Sequence, residues 1–227
     1  MVHGNFIHLK EVLSQEELRQ IREIVAKSNF VDGKATASGA ALKIKNNQQL
    51  ANSQENTQIA QYLLQALLKH TLLQRAAMPK MAIPPLISRY TEGMKYGMHV
   101  DSPLNGQEYT IRTDISVTLF LNEPHEYEGG ELEIMTDAGL KSYKLSAGEA
   151  ICYPTTQLHR VNKVISGKRL VAVTWIQCAV RDAHQREMIF KASEVIKELE
   201  EKDMANTEAH LNLQQLYSNL IRMWAEI

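Results

Sequence analysis

From residue 111 onward the apolar positions fall on alternate residues. In "IRTDISVTLFLN", Ile111, Thr113, Ile115, Val117, Leu119 and Leu121 share one face while the other face is mixed, the period expected of a strand in a sandwich or barrel. "GELEIMT", "KSYKL", "EAICYP", "HRVNKVI" and "RLVAVTWIQC" follow as further short strands, separated by turn signals at Asp137-Ala138-Gly139, Ala147-Gly148 and Ser166-Gly167-Lys168. Many short strands with frequent turns favour a double-sheet jelly roll over alternating strand–helix units.

The flanks have a different period. Ser14 with Glu17 forms a capping box, Leu13 and Leu18 occupy the positions of a hydrophobic staple, and Leu18, Ile21, Ile24 and Val25 recur at helical spacing. A second helix is expected over about 53–77, with Ile59, Leu63, Ala66, Leu67 and His70 on one face, and Pro79, Pro84 and Pro85 end the helical part. His70 reads there as a packed or solvated residue. Beyond Val180 the pattern is helical again, and Leu213, Leu216, Tyr217, Leu220, Ile221 and Trp224 form a wide apolar stripe. That stripe must be covered by the chain's own body or, in a homo-oligomer, by a second copy. The pattern divides the chain into an N-terminal strand and helices (1–80), a β core (81–180) and a C-terminal helical extension (181–227), a mainly β fold with flanking helices.

Composition narrows the function. The 227 residues are 44% hydrophobic and 22% charged, ordinary for a globular chain, and the net charge is −1 with no block of basic residues, which argues against a nucleic-acid partner. No leader pattern and no apolar run near 18 residues is present, so a cytoplasmic protein with no membrane span is expected. Cys152 and Cys178 are too few and too far apart for a disulfide framework or a paired-cysteine zinc site, and read as buried thiols.

The chemistry begins at "YGMHVDSPLNG". His99 and Asp101 lie two positions apart, so on a strand they face the same way, with Val100 directed between barrel and helices. Alone, His-x-Asp is a weak signal, because short motifs recur by chance. His159 opens a later strand, and a jelly roll brings distant strands around one interior. Two histidines and a carboxylate on one side of a metal are the ligand set of non-haem Fe(II) oxygenases, with three positions left open. A 2-oxo acid filling two of them needs a cation for its far carboxylate. Arg169 is the candidate: if Ser166-Gly167-Lys168 closes a hairpin, it lies opposite Ile165, which shares the parity of His159, and its planar guanidinium can grip a carboxylate through two parallel hydrogen bonds. His125 sits in an acidic loop and reads as exposed. Ser116 and Thr118 could face the cavity or decorate a sheet.

The ordered set "SRYTEGMKYGMHVD", "TLFLN", "YEGGELEI", "GEAICYP", "HRV" and "SGKRLVAVTW" resembles the iron(II)- and 2-oxoglutarate-dependent dioxygenases of the prolyl-hydroxylase branch, and more closely the bacterial PKHD-type hydroxylases associated with iron uptake. The resemblance implies a double-stranded β-helix (cupin-like) core and iron held by His99, Asp101 and His159. It implies 2-oxoglutarate held by Arg169, with Tyr90 and Tyr96 near it, and L-ascorbate as the reductant. The reaction it implies is hydroxylation of a C–H bond in a peptide or small-molecule substrate, a prolyl residue among the candidates, consuming O2 and 2-oxoglutarate and releasing succinate and CO2. Two other readings stay open at this point: a non-enzymatic sensor of iron or 2-oxoglutarate, and a cupin-like metalloenzyme that uses no 2-oxo acid.

Overall fold

The computed structural model describes residues 2–3, 6–36, 39–106 and 109–226. The N-terminal part runs β1 (Val2–His3), β2 (Phe6–Leu9), α1 (Gln15–Lys27), β3 (Phe30–Asp32), α2 (Ala41–Ile44), β4 (Lys45–Asn46), β5 (Gln48–Leu50), α3 (Gln54–Lys69) and α4 (Thr71–Ala77). There follow β6 (Pro79–Ala82), β7 (Leu86–Tyr90), β8 (Lys95–His99), β9 (Leu104–Asn105), β10 (Ile111–Arg112) and β11 (Ile115–Phe120). The chain continues through β12 (Tyr127–Gly129), β13 (Leu132–Thr136), β14 (Gly139–Tyr143), β15 (Ala150–Pro154), β16 (His159–Val161), β17 (Val164–Gly167) and β18 (Arg169–Cys178). It ends in α5 (Ala183–Glu201) and α6 (Glu208–Trp224).

Two sheets carry the architecture. A nine-stranded sheet runs β1-β2-β15-β11-β18-β7-β5-β3, with β6 also pairing β18, and a five-stranded sheet runs β14-β13-β16-β8-β4. Alternation along β11 and β18 decides what each face of the large sheet meets. Ile115, Val117, Leu119, Ala172 and Ile176 pack with Leu18, Ile21 and Val25 of α1 and with Ile59, Leu63 and Leu67 of α3. Phe120, Val171 and Tyr153 turn the other way, onto Leu132, Ile134 and Val161 of the small sheet. The functional cavity lies in that second layer, between the sheets.

The first helix forms as its sequence dictates, with the Ser14–Glu17 capping box complete and Leu18, Ile21 and Val25 buried. The single helix expected over 53–77 is two. His70 breaks it: its backbone leaves the helical region, its Nδ1 accepts the amide of Leu72, and its Nε2 meets the carbonyl of Lys10 at 3.0 Å. The strand expected from Ile111 also divides, because Asp114 turns aside to pair with Arg112 and to accept the amide of Cys178. The hairpin expected between "HRVNKVI" and Arg169 does not form. β17 pairs with β12, while β18 crosses to the large sheet between β11 and β7, so Ile165 is exposed rather than opposite Arg169. Val100 is likewise 53% exposed at the cavity mouth instead of lying between barrel and helices. It sits beyond the end of β8, where strand alternation no longer applies.

At the C-terminus α6 lies against α5, leaving Leu213, Tyr217 and Trp224 half-buried and Leu216 exposed. Cys152 and Cys178 are buried free thiols, as expected. Among the described residues no helix is long and apolar enough to cross a membrane.

Candidate metal centre and cofactor cavity

His99 ends β8, and His159 begins β16 directly opposite it in the antiparallel register. Their rings lie 4.2 Å apart between centroids. Asp101, two residues past β8, brings a carboxylate oxygen to 3.7 Å from His159 Nε2. One ligand atom from each of His99, Asp101 and His159 lies within 4.8 Å of the others, a spacing that one cation can bridge.

The tautomers suit a metal. His99 Nδ1 meets the carbonyl of Gly97 at 2.8 Å, and His159 Nδ1 meets the carbonyl of Gln157 at 3.0 Å. A carbonyl can only accept, so each Nδ1 carries a proton, and in the neutral ring Nε2 is the nitrogen with the free lone pair. Burial and the neighbouring His159 push the His99 imidazolium down to about 4, so its ring is neutral at physiological pH. Asp101 Oδ2 is buried without a hydrogen-bond partner. An orphaned carboxylate oxygen beside two imidazole lone pairs is a costly arrangement unless a cation shares it. The donor set fits iron, and its mixture of nitrogen and carboxylate differs from the closed thiolate sets of structural zinc.

The cavity around these atoms has a volume of about 520 Å³, within the range of small-molecule sites. Arg169 enters it from the large sheet. It is 1% exposed, its Nε has no hydrogen-bond partner, and its guanidinium rests over the rings of Tyr90 and Phe120 at 5.1 and 5.6 Å. Among the described residues no carboxylate pairs with it. A buried, uncompensated guanidinium fits a carboxylate delivered by a ligand. Gly130, in the left-handed region at φ +67, makes room for it: a Cβ there would lie 3.2 Å from both Arg169 Cδ and Tyr127 Cε2.

The two tyrosines divide. Tyr96 lines the cavity and stacks on the His99 ring at 3.7 Å, whereas Tyr90 lies behind Arg169, across the β7–β18 register, and is not among the lining residues. Ser116 and Thr118 face the cavity. His125 is exposed and apart from it.

The residues missed from sequence come from the N-terminal segment. Lys45, Asn47 and Gln49 are buried at 7%, 3% and 6% exposure and line the cavity. In sequence "KNNQQL" is an unbroken polar run with no alternation to mark which residues turn inward, and only the structure shows that every second one is buried.

The comparisons with known proteins agree with this geometry. The profile of the 2OG-Fe(II) oxygenase superfamily matches residues 85–177, and that of the PKHD-type hydroxylase C-terminal domain matches residues 183–226. A PKHD-type hydroxylase of Picosynechococcus sp. is 45% identical over 223 residues, covering 97% of this chain and 100% of the relative. One from Acinetobacter baumannii is 38% identical over 231 residues, covering 100% of both. Among solved structures, a Pseudomonas putida prolyl-4-hydroxylase superposes with a TM-score of 0.53 at 18% identity, covering 77% of this chain and 93% of that one. A Trichoplax adhaerens prolyl hydroxylase, solved with a hypoxia inducible factor peptide fragment, gives a TM-score of 0.58 at 17% identity, covering 76% and 83%.

Proposed function

The chain belongs to the PKHD-type hydroxylases of the 2OG-Fe(II) oxygenase superfamily, and from that premise we propose that His99, Asp101 and His159 hold its iron while Arg169 holds the far carboxylate of 2-oxoglutarate. The activity of the family is Fe(II)- and 2-oxoglutarate-dependent hydroxylation. The observation that carries the site assignment is the pair of unsatisfied buried groups, Asp101 Oδ2 and Arg169 Nε, in one cavity.

When bound, iron and 2-oxoglutarate supply the oxidising chemistry: one oxygen atom of O2 enters the substrate C–H bond, and the other leaves in succinate as CO2 is lost. The chain's own residues bind and orient. The Gly97 and Gln157 carbonyls fix both imidazoles with Nε2 toward the metal. Tyr96, stacked on His99, restricts that ring and shields it from water. Arg169, steadied by Tyr90 and Phe120, sets the direction in which a diacid lies. No side chain of the cavity is needed as a nucleophile.

Within the same reading the two sheets form a double-stranded β-helix core over 81–180, supported by 1–80 and extended by 181–227. L-Ascorbate keeps the iron ferrous, the protein works in the cytoplasm, and the C-terminal helices, with their half-buried stripe, serve a homo-oligomer. The prolyl hydroxylases among the structural neighbours support a prolyl residue as the substrate group, and the motif resemblance to iron-uptake-associated hydroxylases supports a link to iron homeostasis. Hydroxylase relatives along the whole chain favour this over the sensor and the cupin-like enzyme.

Anaerobic titration of the apoprotein with Fe(II) and then 2-oxoglutarate tests the proposal. A visible metal-to-ligand charge-transfer band and succinate release on admitting air are expected, and both disappear in His99→Ala. Absence of the band in the wild-type protein would overturn the site assignment.

A further inference from the structure

Among the described residues that line the cavity, Lys45 is the one cation that this reading leaves without a task. Its ammonium lies 5.4 Å from the centroid of the Tyr96 ring, and that ring also stacks on His99, so Lys45 and a candidate metal ligand share one aromatic neighbour. Lys45 Nζ donates to Thr36 Oγ1 at 2.8 Å, and that hydroxyl in turn donates to Gln49 Oε1 at 2.9 Å. An ammonium has three donors. Among the described residues Lys45 has no other hydrogen bond and no ion pair, although it is 7% exposed. Burial pushes it down to about 8, against the opposing pull of Asp101 and Asp32.

Charge balance shows what is missing. Asp101, Arg169 and Lys45 are the carboxylate and the two cations lining the cavity, and together they sum to one positive charge. Fe(II) adds two positive charges and 2-oxoglutarate two negative ones, so the loaded cavity keeps that single positive charge. It resides on Lys45, and a buried charge calls for a partner.

Outside, the same lysine belongs to a second depression of about 590 Å³, which shares Lys45, Tyr96 and Val161 with the cavity. Lys34, Lys43, Lys95 and Lys163 line it, all exposed and without ion pairs among the described residues, and no acidic residue lines it. These lysines come from four separate segments, so no basic run marks the patch in the sequence. Its one arginine, Arg160, is tied to Glu133 at 2.6 Å. With no free guanidinium to grip phosphates in pairs, the patch suits carboxylates met by single ammonium groups better than a nucleic-acid backbone.

We infer that the substrate is an acidic peptide whose carboxylates lie along this lysine patch, one of them held by the Lys45 ammonium beside the metal site. The inference rests on the hydroxylase reading above. It adds the class of substrate and a residue that selects it. Outer lysines speed encounter and add salt-sensitive affinity, whereas Lys45 makes the shielded contact.

Labelled pentapeptide pools, Glu-Glu-X-Glu-Glu and Gln-Gln-X-Gln-Gln with X any residue, test it by fluorescence anisotropy on the protein loaded anaerobically with Fe(II) and 2-oxoglutarate. The glutamate pool should bind at least about tenfold more tightly, the effect of one hydrogen bond to a buried charge. Lys45→Gln should remove most of that preference, Lys45→Arg should restore part of it, and Lys197→Gln on α5 should keep it. Equal binding of the two pools, binding of neither, an unchanged preference in Lys45→Gln, or tighter binding of a single-stranded oligonucleotide would each overturn the inference. So would loss of the 2-oxoglutarate charge-transfer band in Lys45→Gln, which would assign the lysine to the cofactor. Absence of that band in the wild-type protein is a failure of the hydroxylase site, and the two outcomes are thereby told apart.

Discussion

His99 and His159 are direct partners across the antiparallel strands β8 and β16, so two residues sixty positions apart in sequence meet on one rung of one sheet. Each ring is fixed by the carbonyl two residues before it. Replacing either imidazole therefore removes a preset lone pair, and at His159 also an edge contact with Tyr153 of the core. His159→Gln should weaken Fe(II) binding by more than about 100-fold, beyond the loss typical of a hydrogen-bond partner behind a ligand. Isothermal titration under anaerobic conditions reads the loss, and an unchanged circular dichroism spectrum shows that the fold persists. Near-normal affinity would remove His159 from the ligand set.

Arg169 gives an opposed pair of effects. In the unliganded protein its guanidinium is buried without an acidic partner, a net cost that packing over Tyr90 and Phe120 only partly offsets. Arg169→Met fills much of the same space without the charge. Its apoprotein should melt no lower than the wild type, while 2-oxoglutarate binding, read from the charge-transfer band, is lost. A variant that binds 2-oxoglutarate normally would refute the assignment.

The reach of the sequence is clearest at these two residues. The types, spacing and order of the three candidate ligands are legible because metal coordination would restrict all three, and the structure brings them together; β18 is legible to the residue because its run is continuous from Arg169 to Cys178. Arg169 arrives in the cavity by another route than its local spacing implies. Parity along one presumed hairpin suggested the inner face, but β18 leaves the small sheet altogether and reaches that face from the opposite side. Partner choice between sheets depends on tertiary packing, which alternation along one strand does not encode. Lys45, Asn47 and Gln49 were missed for a related reason. Their segment reads as a polar connection until β4 and β5 pair with β8 and β7 and turn it into cavity wall.

Gly130 belongs to the glycine pair that reads in sequence as a turn entering a strand, and the structure gives it a second task. Its φ of +67 disfavours any Cβ, and the added atom would also lie 3.0 Å from Val164 Cγ2 and 3.2 Å from Arg169 Cδ. Gly130→Ala should cost about 1–2 kcal/mol through the backbone alone, visible as a lowered denaturation midpoint. Because Arg169 Cδ is one of the three atoms that an added Cβ crowds, the variant should also bind 2-oxoglutarate more weakly than an equally destabilised variant in α1, such as Ile21→Val. Equal affinity in the two would leave Gly130 a turn residue only.

Lys45 makes the stability of the unliganded protein depend on pH in a definite direction. Its folded value, about 8, lies below the ordinary 10.5, because burial disfavours the ammonium more than Asp101 and Asp32 favour it. Between those two values the unfolded chain binds more protons at this residue than the folded one, so this group's contribution to stability rises with pH. Below pH 8 the cost is fully present and constant. Other lysines and tyrosines act in the same alkaline range, so the measurement is the difference between wild type and Lys45→Met, which lacks the titrating group but keeps an unbranched chain. Chemical denaturation at intervals from pH 7 to 10 should show the variant more stable at the acid end, with the gap narrowing as pH rises through about 8. A bound carboxylate would hold the ammonium charged, so a peptide from the glutamate pool should flatten that slope in the loaded wild-type protein. A gap that stays constant across the range would mean that Lys45 is solvated as an ordinary surface lysine, and the buried anion site would lose its physical basis.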